Sequence, residues 1–290
     1  MSVAFRPAPV VATLDMLAAD HDAFLIDQFG VLHDGQRPYP GAVEALRFLR
    51  GRGKRVALIS NSGKRAGPNI ARMEKLGFAR DLYDAFVTSG EVAHAAIAEM
   101  QADGRLPRGC RTLLLARDGD TSAVEGLGLA DARDGLDAEL VLLAGSRGDE
   151  FELDHYRALL EPAARRGVPM ICSNPDKVML TKVGMRFGAG AIADLYVELG
   201  GVVASYGKPL PPIYAAARRA LGDPAPHCIL CIGDSVEHDI AGGAGAGFRT
   251  VLVRTGILAD VADAALSAHF AQHGATPDYI LPAFSLSQTG

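Results

Sequence analysis

Short apolar runs recur along the chain at fairly regular intervals: AFLID (23–27), RVALIS (55–60), AFVTS (85–89), RTLLLA (111–116), ELVLLAG (139–145), PMICSN (169–174), CILCIGD (228–234) and RTVLVRT (249–255). Between them lie segments in which apolar residues return every three or four positions: GAVEALRFLRGRG, PNIARMEKLGF, DHYRALLEPAARRG and PPIYAAARRALG. Most of these end in glycine, as helix C-caps do. The first set predicts buried strands and the second amphipathic helices. Their alternation predicts an α/β fold with a parallel sheet covered by helices on both faces.

Two local patterns invite other readings. AGGAGAG (241–247) is rich in glycine, but DSVEHDI separates it from the preceding strand and its glycines miss the G-x-G-x-x-G spacing. It reads as a small-residue helix packed closely on the sheet. Cys228 and Cys231 form CILC inside an apolar run. Residues i and i+3 of a strand face opposite ways, so core cysteines are expected rather than a metal or redox pair.

Composition is that of a globular chain: 290 residues, 49% hydrophobic and 22% charged, with a net charge of −5. The charge argues against nucleic acid as a partner, because no basic stripe is present to neutralise phosphates. No run reaches the roughly 20 apolar residues of a membrane helix. The N-terminal segment carries acidic residues and lacks a signal-peptide layout. A cytoplasmic protein with reduced cysteines and no membrane partner is expected.

The strand ends carry the chemistry. Asp27 closes the first run, Ser60 and Asn61 the second (ISNSG), and Asp234 a late one, with Asp239 five residues on; Lys208 stands in YGKPLPP ahead of that late strand. In parallel sheets, ligands bind beyond the carboxyl ends of strands. An aspartate there is often only a helix N-cap, but this ordered set fits phosphoryl transfer through an aspartyl-phosphate. Asp27 is the expected nucleophile and Mg²⁺ the expected cofactor, held by Asp27 and Asp234. Lys208 is expected beside nucleophile and phosphate, and the Ser60 hydroxyl and Asn61 backbone N–H against phosphoryl oxygens.

DQFGVL, SNS, GKP and GDSVEHDIAGGAGAG resemble the four ordered motifs of the haloacid dehalogenase superfamily. About thirty residues separate Asp27 from Ser60 and about 150 separate Asn61 from Lys208. That long second interval resembles the type IIA branch, whose α/β cap is inserted there, and Asn174-Pro175-Asp176 is similar to that branch's cap signature. The resemblance implies a Rossmann-like core in two parts (1–87 and 187–290) and an inserted α/β cap (88–186). It also implies a small phosphorylated metabolite as substrate, Asn174 and Asp176 as cap residues near it, and a homodimer through the cap. Asp239 is expected to orient the metal's waters.

Phe29 departs from the pattern. Most phosphatases of the family carry there a second aspartate that protonates the leaving group. By the resemblance, this position reaches the metal through its backbone carbonyl, which Phe29 retains. General acid–base catalysis contributes about 10²–10⁴-fold, so good leaving groups are expected to be favoured. His33 and Asp34 in the following loop are the candidates to replace the missing acid. The alternatives are a phosphate-ligand binding or regulatory protein that has lost turnover, and a dehalogenase, since dehalogenases of the superfamily also carry an aromatic at this position.

Overall fold

The computed structural model describes residues 8–181 and 184–286. The chain runs β1 (Val10–Val11), α1 (Leu14–Asp20), β2 (Ala23–Asp27), α2 (Ala42–Gly51), β3 (Arg55–Ser60), α3 (Ala66–Lys75), β4 (Ala85–Thr88) and α4 (Ser89–Ala102). It continues through β5 (Arg111–Leu115), β6 (Ala130–Asp131), β7 (Leu140–Leu143), α5 (Leu153–Arg165), β8 (Pro169–Cys172), β9 (Val178–Thr181), β10 (Gly184–Phe187), α6 (Ala189–Glu198) and β11 (Val202–Ser205). It ends with α7 (Pro211–Ala220), β12 (Ile229–Gly233), α8 (Gly242–Gly245), β13 (Arg249–Val253), α9 (Asp263–His273) and β14 (Tyr279–Leu281). Among the described residues, no helix is long and apolar enough to cross a membrane.

The residues form two compact units. The first takes residues 8–60, 70–87 and 208–286. Its seven-stranded sheet has the order β1-β14-β13-β12-β2-β3-β4. The central strands β2 and β12 are buried along their whole length, which is why they read in sequence as unbroken apolar runs. α2 buries Ala42, Ala45, Leu46 and Leu49, the i, i+3, i+4, i+7 face of an amphipathic helix. The glycine-rich helix α8 packs on the sheet as expected: a Cβ on Gly243 would lie 3.0 Å from Cys231 Cβ and 3.1 Å from Thr250 Cγ2. Cys110, Cys172, Cys228 and Cys231 are all free thiols.

The second unit takes residues 61–69 and 88–207. It has its own five-stranded sheet, β11-β8-β7-β5-β6, with every neighbouring pair parallel, and β9 and β10 form a separate antiparallel pair. One side of the larger sheet packs with Tyr156 and Leu160 of α5 and with Ile192 and Tyr196 of α6. Ala93 and Ile97 of α4 belong to a second cluster, with Leu140 and Leu142. The boundary at 186 read from the sequence falls inside this unit. β11 pairs in register with β8, Val202 opposite Pro169 through Ser205 opposite Cys172, and α6 buries its apolar face here, so residues 187–207 pack with the inserted segment.

Candidate active site

Parallel pairing aligns the strand ends of the first unit. Ile26 pairs with Ile232, and Asp27 pairs with Ile59. Asp27, Ser60 and Asp234 therefore emerge at the carboxyl ends of three neighbouring strands, where a parallel sheet presents its ligand site. After Asp234 the chain enters a π-helical turn, residues 236–241, a wide turn often found at functional sites. That turn carries the Asp239 carboxylate back toward the strand end: Asp239 Oδ2 accepts from Ser235 N at 3.1 Å. A side chain at 233 would collide with it, since a Cβ there would lie 2.0 Å from Asp239 Cγ.

Lys208 Nζ donates to Asp27 Oδ1 at 2.8 Å and to Asp239 Oδ1 at 2.6 Å, and all three side chains are buried. Asp27, Asp234 and Asp239 each offer a carboxylate oxygen, the three lying within 4.8 Å of one another. Three ionised carboxylates against one ammonium leave an excess of two negative charges in a buried site. The proton affinities register that excess. Burial, reinforced by Asp239, pushes Asp234 up to about 7. Burial likewise drives Asp27 well above the usual carboxylate range, against the pull of Lys208. For Lys208 burial disfavours the charge, but Asp239 and Asp27 outweigh it and hold the ammonium firmly protonated. A hard divalent cation meets both the oxygen-only donor set and the charge deficit, so these residues fit Mg²⁺.

The Asp234 carboxylate is enclosed by backbone. Its Oδ2 accepts from Ile257 N at 2.8 Å, and a Cβ on either Gly30 or Gly256 would lie 2.0 Å from that oxygen. Both glycines have positive φ, +86° and +68°, so only glycine satisfies both the conformation and the space.

Phe29 is 41% exposed, and its ring meets the His33 ring edge-on with centroids 5.8 Å apart. Neither candidate acid in the loop is suited to the role. Asp34 Oδ1 accepts from the backbone N–H of Gln36 and of Arg37, at 2.8 and 2.7 Å. These bonds hold its carboxyl below the usual range, so it is ionised at neutral pH and serves the turn. His33 is fully buried with both ring nitrogens engaged, by Gly35 N and by Gln28 Oε1. Burial, then the Arg72 charge, bring it down to about 4.

The sequence reading passed over Gln28, whose Nε2 donates to Ser60 Oγ at 2.7 Å. A glutamine directly after a strand-end aspartate carries no signal of its own; only the pairing of β2 with β3 brings it to Ser60. In the second unit, Asn61 Nδ2 donates to Asp176 Oδ1 at 2.7 Å, and Asp176 N donates to Asn174 Oδ1 at 3.2 Å. The Asn-Pro-Asp stretch thus binds a residue 115 positions away.

The parallel sheet and this cluster define a class, and comparison with known proteins agrees with it. A haloacid dehalogenase-like hydrolase family model matches residues 24–130, and a related HAD-hydrolase-like model matches residues 205–285. The D-glycerol 3-phosphate phosphatase of Mycobacterium tuberculosis is 28% identical over 91% of this chain and 70% of its own. The solved structure of a haloacid dehalogenase-like hydrolase from Brucella suis is 30% identical, with a TM-score of 0.78 over 96% of this chain and 99% of that one. A glycerol phosphate phosphatase from M. tuberculosis, solved with magnesium, is 28% identical, with a TM-score of 0.73 over 93% of this chain and 78% of that one. The chain belongs to the haloacid dehalogenase-like hydrolases.

Proposed function

We propose that the protein is a Mg²⁺-dependent phosphatase acting on a small phosphorylated metabolite through an aspartyl-phosphate, with a preference for good leaving groups. The observation that carries this reading is the Lys208 ammonium bound to both Asp27 and Asp239, with Asp234 alongside. A relative named as a D-glycerol 3-phosphate phosphatase and a related structure with magnesium support the phosphatase and metal parts of it, while the leaving-group preference rests on Phe29.

In this mechanism an Asp27 oxygen attacks phosphorus, the P–O bond to the leaving group breaks, and the departing oxygen keeps the electron pair. Water then attacks the phosphorus, the Asp27–phosphate bond breaks, and inorganic phosphate leaves. Asp27, Asp234 and the Phe29 carbonyl would hold Mg²⁺, with Asp239 orienting its waters, and the bound ion would supply masking of phosphate charge. Lys208 opposes the rise in Asp27's proton affinity and supplies positive charge beside it for the incoming phosphoryl group. The Ser60 hydroxyl and the N–H of Asn61, its chain neighbour, hold phosphoryl oxygens. Asn174 and Asp176 are assigned to substrate selection.

Phe29 supplies no proton, and neither His33 nor Asp34 is placed to do so. Leaving groups that depart as stable anions, such as aryl oxides and acyl carboxylates, are therefore favoured. The same gap slows activation of water in the second step. A burst of p-nitrophenol close to one equivalent per protein, followed by a slower steady rate, is the expected time course. Asp27→Asn and removal of Mg²⁺ with a chelator should each abolish it. Hydrolysis that persists in Asp27→Asn would overturn the covalent reading.

Phe29 also favours a second reading, a phosphate-binding or regulatory protein without efficient turnover. Tight binding of inorganic phosphate with no p-nitrophenol release would select that one.

A further inference from the structure

Ser60 serves phosphate only as a donor, so the direction of its hydroxyl proton matters. A serine hydroxyl rotates freely unless a neighbour settles which lone pair is taken. The neighbours that settle it here can be followed back to the backbone. The Gly35 N–H donates to His33 Nδ1 at 2.9 Å. A backbone N–H can only donate, so Nδ1 is the unprotonated nitrogen of a neutral ring and Nε2 carries the hydrogen. Nε2 lies 3.3 Å from Gln28 Oε1 and donates to it. That fixes the amide the other way round: Gln28 Nε2 donates to Ser60 Oγ at 2.7 Å. One Ser60 lone pair is taken, and its proton is directed away from Gln28.

His33, Gln28 and Ser60 are all buried, so water does not compete for these groups. The start of the chain is itself held. Gly35 has φ +98°, a Cβ there would lie 2.9 Å from Phe29 Cε2, and its carbonyl accepts from Arg72 Nη2 at 3.1 Å. We infer that Gln28 and His33 are positioning residues: a relay from the Gly35 N–H through His33 and Gln28 presets Ser60 as a proton donor toward a phosphoryl oxygen. The inference rests on the phosphatase reading for what Ser60 contacts, but the relay is a property of the protein alone. Its benefit is preorganisation, a donor already aimed before the anion arrives.

Two measurements test it. In ¹⁵N spectra of the wild-type protein, His33 should show the Nε2–H tautomer; an Nδ1–H tautomer would overturn the relay. The second is a double-mutant cycle, with inorganic phosphate affinity read on Mg²⁺-loaded protein from thermal shifts. Gln28→Met should weaken phosphate about 3- to 10-fold in the wild-type background, the loss of an oriented donor. In the Ser60→Ala background it should weaken phosphate no further. Equal losses in both backgrounds would show that Gln28 acts otherwise than through Ser60, and would sink the inference. If Gln28→Met does not fold, the wild-type tautomer alone decides. If wild-type protein shows no phosphate response at all, the phosphatase reading fails, and the tautomer still decides the relay.

Discussion

The two units share an architecture but treat charge in opposite ways. Each has a parallel sheet with apolar central strands. In the first, the strand ends gather Asp27, Asp234, Asp239 and Lys208 away from water. In the second, charged residues pair nearer the surface: Arg65 with Glu91, Arg117 with Asp149, Lys177 with Asp194. Burying an ion is expensive, and its partner repays the cost only with good geometry. A fold that can satisfy its charges at the surface gains little stability from burying four of them. The burial in the first unit is explained by chemistry, and substitutions should separate the two regimes.

Lys208→Met should have the largest effect. It leaves Asp27 and Asp239 buried without their cation, at a cost of about 3–5 kcal/mol in metal-free protein, and it should abolish turnover. Denaturant unfolding with and without Mg²⁺ measures this, and a loss below about 1 kcal/mol would contradict a buried, functional pair. Phe29→Asp comes next. It should raise turnover of an alkyl phosphate by up to about 10²–10⁴-fold and of p-nitrophenyl phosphate by much less. Its melting temperature must be followed too, because the Phe29 ring packs against His33 and Gly35. Equal turnover of alkyl and aryl esters by the wild type would mean that protonation comes from elsewhere.

The pH response should also differ between the units. Asp234 has a folded-state pKa of about 7, above its ordinary 3.8, so the native state binds the extra proton between these values. His33, brought down from 6.5 to about 4, works the other way up to about pH 6.5, so the contribution of Asp234 is read against Asp234→Asn: relative to that variant, metal-free stability should fall as pH rises from 5 to 8. Mg²⁺ must displace that proton, so the stabilisation it brings should grow over the same span. A metal-free melting temperature that climbs steadily relative to that of Asp234→Asn from pH 5 to 8 would refute this. In the second unit, Glu91 is held below its ordinary 4.5, first by the hydrogen bond from Arg65. Its contribution is complete above that value and is lost only as pH falls through the lower folded-state pKa. The smallest effect belongs to Arg65→Met, about 1 kcal/mol or less in chemical denaturation, as for other part-exposed pairs.

What was legible in the sequence follows the same division. β2, β7 and β12 were readable because full burial makes a strand apolar, and β3 because only its first residue, Arg55, is exposed. β11 was not: it is a short edge strand of four residues whose Val202 is 70% exposed, and its pairing with β8 depends on contacts the sequence does not display. The β9–β10 pair and the short strands β1, β6 and β14 escaped for similar reasons. Within the site, Asp27, Lys208, Asp234 and Asp239 stood out because their spacing is itself the motif. Gln28 and the Asn61–Asp176 bond did not, because each depends on partners far apart in the chain. His33 and Asp34, the candidates to replace the missing acid, are instead engaged in holding their own loop, which local turn chemistry already suggests for Asp34-Gly35.

The two glycines around Asp234 carry a lesson for anyone who would redesign this enzyme. Gly30 and Gly256 come from segments more than two hundred positions apart, and each leaves no room for even a methyl group beside the same oxygen. A library built to change substrate preference should hold both codons constant, since every replacement there displaces Asp234. Diversity at position 29, whose side chain is part-exposed, leaves that carboxylate where it is. The chain therefore offers an editable residue immediately beside an uneditable one, and recombination between homologues should keep 30 and 256 from the same parent.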